Sequence, residues 1–83
     1  MKYVIEPRKV ACVVVECNNV IKDKQFNHGE VILGLAELLG RIVVDASSTT
    51  TQADEMYALA QQHLADTIKV GLAARGSSLI QRV

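Results

Sequence analysis

The sequence has no excess of charge, no long apolar run, one proline and two cysteines, and most of these shortages exclude a class of function. Nine basic and nine acidic residues cancel. A chain that binds nucleic acid without sequence preference carries a basic excess, because neutralising phosphates supplies most of that affinity. The longest stretch free of formal charge, Met56–Ala65, contains Gln61, Gln62 and His63. Nothing approaches the roughly 18–20 apolar residues that span a bilayer. The N-terminal residues Met1 to Pro7 lack the apolar stretch and small-residue cleavage site of a secretory signal. These absences point to a cytoplasmic protein with neither a membrane nor a nucleic-acid partner.

The cysteines agree. Cys12 and Cys17 are five residues apart. On a helix that separation is about 7.5 Å along the axis with a turn of about 140°, and a bridge needs Cα atoms within about 7 Å. In a strand the two would lie on opposite faces. There is no C-x-x-C pair, so the expectation is two reduced, mostly buried thiols.

What is present is an ordered globular composition. The chain has 83 residues, of which 49% are hydrophobic and 22% charged. Disordered chains are poor in apolar residues, and this length suits one domain spanning residues 1–83.

Three apolar-periodic segments follow one another. The first runs over residues 7–25. Val10, Val13, Val14, Cys17, Val20 and Ile21 recur at spacings of three and four, which is one helical face, and Pro7 suits the first helical position. A β-hairpin turning at Asn18-Asn19 is the competing reading. It sets Val15 against Lys22 and Val13 against Lys24, so neither face is clean, and helix is preferred.

The second segment runs over residues 28–46 and has the strongest start signal. Asn27 is a good N-cap with Glu30 three residues on, as in a capping box, and Phe26 and Val31 occupy the positions of a hydrophobic staple. Its charged residues, Glu30, Glu37, Arg41 and Asp45 with Gly34, form one narrow stripe in which Glu37–Arg41 and Arg41–Asp45 can pair. The rest of the circumference is apolar. A helix apolar nearly all round is a buried helix, and a chain this short has little with which to bury it.

Ser47–Thr51 reads as a linker whose last member, Thr51, caps a third helix over residues 52–75, with Asp54 in support. Met56, Tyr57, Ala60, Leu64, Ile68 and Gly71 share a face of that helix. Arg75 and Gly76 suit its C-terminal end. The ends, Lys2–Ile5 and Leu79–Val83, are short and compatible with strands.

Convergent chemistry is sparse. His63 and Asp66 are the one candidate ligand-binding pair, and a metal site needs three or four ligands. Neither a metal nor a cofactor is implied, and no catalytic residue is assigned. The glycines make no phosphate loop. Leu35–Gly40 resembles the first helix and turn glycine of a helix-turn-helix DNA reader, but Arg41-Ile42-Val43-Val44 continues the apolar pattern in helical phase. The expected fold class is all-α: a long helical hairpin plus an N-terminal helix, self-associating as a helical bundle. The expected interface is Ile32, Leu35, Leu39, Ile42, Met56, Tyr57 and Leu64, between copies of the chain in a dimer or against another protein. The expected role is non-enzymatic protein–protein interaction. The alternative is a small-molecule binder or enzyme with a pocket at the subunit interface near His63 and Tyr57.

Overall fold

The computed structural model describes residues 3–75. Three α-helices follow in order: α1, Pro7–Ile21; α2, His28–Ala46; and α3, Thr50–Ala74. No strand occurs among the described residues, so the fold is all-α. The chain divides into two compact units, with the boundary between Asp45 and Ala46. The first unit holds α1 and nearly all of α2; the second holds α3.

The first segment is a helix and not a hairpin. Glu6, just before Pro7, is extended at φ −101° and ψ 114°, as the residue before a proline prefers. Its carbonyl accepts from the backbone N–H groups of Lys9 and Val10 at 3.0 and 3.1 Å. Its carboxylate pairs with Lys9 Nζ at 3.0 Å, an exposed contact of small energetic weight.

The helix stops at Ile21, four residues short of the expected end. Beyond Ile21 the sequence Lys22-Asp23-Lys24-Gln25 offers no apolar side chain to hold another turn. Lys22 N–H still donates to Asn18 O at 2.9 Å, and Lys24 N–H then closes a tighter bond to Ile21 O at 3.0 Å. The chain leaves the helix there and reaches Phe26 and Asn27 outside any helix, where the next cap requires them.

The start of α2 is as the cap chemistry predicts. Glu30 N–H donates to Asn27 Oδ1 at 2.8 Å, and Asn27 N–H donates to Glu30 Oε1 at 2.9 Å. This reciprocal pair satisfies two backbone donors that the helix itself cannot. Phe26 and Val31 line one groove, where a hydrophobic staple would place them. The helix then runs unbroken through Gly40 to Ala46. There is no turn at Gly40, and the likeness to a helix-turn-helix ends at that residue.

The cap of α3 is Thr49 and not Thr51. Thr49 Oγ1 accepts from Gln52 N–H at 3.1 Å, and Gln52 Oε1 accepts from Ser48 N–H at 2.7 Å. The pattern Thr49-Thr50-Thr51-Gln52 is thus a capping box displaced by one residue at its return bond. The longer Gln52 side chain reaches back where Asp54, paired with Thr51, is too short. Starting two residues early also adds helical backbone bonds, beginning with Ala53 N–H to Thr49 O at 3.1 Å. At the other end Arg75 is the C-cap, its N–H directed at the Gly71 and Leu72 carbonyls at 3.2 Å. Tyr3 to Glu6 has no regular structure. The possible strand at Leu79–Val83, and Gly76 as a helix stop, lie outside the described residues.

These caps make a direct prediction. Thr49→Ala should lower the stability of the helical fold by about 1 kcal/mol, whereas Thr51→Ala should change it by less than about 0.5 kcal/mol. Urea unfolding followed by circular dichroism reads both. The reverse order would place the cap at Thr51.

Candidate interaction surface

No described residue is buried, and most large apolar side chains of the three helices stand exposed. Partly covered residues are few: Ile21, Val31, Val43, Ser47, Ala53, Met56 and Ala60. Cys12 and Cys17 are both free and both exposed, which corrects the expectation of buried thiols. That expectation presumed a core, and no described residue is buried in one. A small hydrophobic side chain is buried only where other elements close over it.

In the first unit, Ile21 and Phe26 line an open groove of about 400 Å³ with Glu30, Val31, Gly34 and Leu35. The groove sorts the apolar residues of α2 by exposure. Leu35, on its wall, is 42% exposed and Leu39, one turn on, is 45%. Ile32, Leu33 and Val44 are the most open, at 65%, 72% and 71%. Leu33 and Val44 are eleven residues apart, three turns at about 3.6 residues each, and so share a face. Ile32, Ala36, Gly40 and Val44 recur every fourth residue along it. The sequence singles out Leu35, Leu39 and Ile42 for the interface and passes over Leu33 and Val44. Periodicity shows that α2 is apolar on most sides but not which side α1 approaches.

The polar stripe of α2 is in place. Arg41 Nη2 donates to Glu37 Oε2 at 2.8 Å with both side chains mostly exposed. The other pair that the spacing allows, Arg41 with Asp45, is not formed among the described residues. Gly34 and Gly40 stand inside the helix, and a Cβ added to either would meet nothing within 4 Å. A helix-interior glycine costs about 1 kcal/mol relative to alanine, and the fold of the single chain does not require one at either position.

In the second unit, Ser47 Oγ donates to Met56 Sδ at 3.6 Å, a weak bond to a poor acceptor. Met56 is partly covered, while Tyr57 and Leu64 are exposed. His63 is exposed and makes no hydrogen bond or ion pair with another described residue. Asp66 instead accepts from Gln62 Nε2 at 3.0 Å. The proposed pair of His63 and Asp66 is therefore not brought together by a direct contact, and neither residue lines the groove. No group of three or more His, Cys, Asp or Glu side chains among the described residues could hold a metal ion. No helix among them is long and apolar enough to cross a membrane.

No protein-family model, curated protein or solved structure matches the chain.

The open position of Cys12, on the side of α1 away from its valine row, has a measurable consequence. It should react with a thiol reagent in native buffer as completely as in denaturant. Protection of Cys12 in native buffer would mean that the back of α1 is also covered.

Proposed function

We propose that this protein is a non-enzymatic helical interaction module that first associates with itself, most simply as a two-fold dimer. The observation that carries the reading is that no described residue is buried, although the helices are rich in Val, Leu and Ile. Apolar side chains stabilise a fold by leaving water, about 25 cal/mol for each Å² covered. Helices that leave this much apolar surface in water need a further surface against them. A second copy of the chain is available wherever the chain is made, and two-fold dimers are the commonest closed assembly.

The absence of convergent polar chemistry in the described groove supports binding over catalysis. Its walls are apolar apart from Glu30, and the Glu30 carboxylate is occupied by the Asn27 backbone. Neither His63 nor Tyr57 lines the groove of the first unit, so that groove lends nothing to the alternative of a subunit-interface pocket near them.

Light scattering behind a sizing column should give a dimer or larger species across a wide concentration range. A helical monomer near 9.0 kDa at every concentration would overturn the reading. Leu39→Asp should shift the mass toward the monomer, with loss of helicity if folding depends on association. Unchanged mass and helicity would remove Leu39 from the interface.

A further inference from the structure

We draw no further inference here: the strongest candidate, the open apolar groove of the first unit lined by Ile21, Phe26, Val31 and Leu35, carries nothing, because nothing in the structure shows what covers it.

Discussion

An α-helix that is apolar on most of its circumference has to be covered from more than one side, and that constraint governs this protein. In α2 only one stripe, through Glu30, Glu37, Arg41 and Asp45, is suited to water. Ile21 and Phe26 meet one part of the remaining surface at the groove, but Ile32, Leu33 and Val44 stay open. The hydrophobic effect is the main favourable term in folding, and conformational entropy opposes it at similar size. A chain whose apolar residues remain in contact with water gains little of that term alone. The proposal of self-association follows from this imbalance more than from any single contact.

The local chemistry is, by contrast, well determined. Local hydrogen bonds and backbone preferences mark where each helix starts. Glu6 and Pro7 begin α1, the Asn27–Glu30 box begins α2, and the Thr49–Gln52 pair begins α3. The two side-chain caps, Asn27 and Thr49, contribute about 1 kcal/mol each, and Glu6 makes no such bond. They decide where helices start, but they cannot replace a core. The protein therefore combines sharply defined helices with a surface that they do not themselves bury.

The same division explains what could be read from the sequence. Three helices, and the exact start of α2, were legible because periodicity and capping are encoded in neighbouring residues. The true cap of α3 was missed because Thr49, Thr50 and Thr51 are chemically alike. Only the reach of Gln52 to Ser48 distinguishes them. The early end of α1 was missed because Lys22–Gln25 breaks no helix; it only stops repaying one with apolar contact. Exposure of Cys12 and Cys17, and the preference for Leu33 and Val44 over Leu35 and Leu39 as open positions, depend on where other elements lie. Those are long-range facts, and one-dimensional spacing does not carry them. Leu35 illustrates this: as an apolar position it is indistinguishable from Leu33 until Ile21 and Phe26 are placed beside it.

The central claim is that folding draws its core from association, and the concentration dependence of thermal unfolding tests it most directly. If the folded state is an assembly, mass action raises its melting temperature with protein concentration. The account predicts a midpoint that climbs steadily over a hundredfold range of concentration, with loss of helicity on dilution. A midpoint that stays fixed over that range, with a single cooperative transition, would show that the lone chain holds its own fold and would contradict the account.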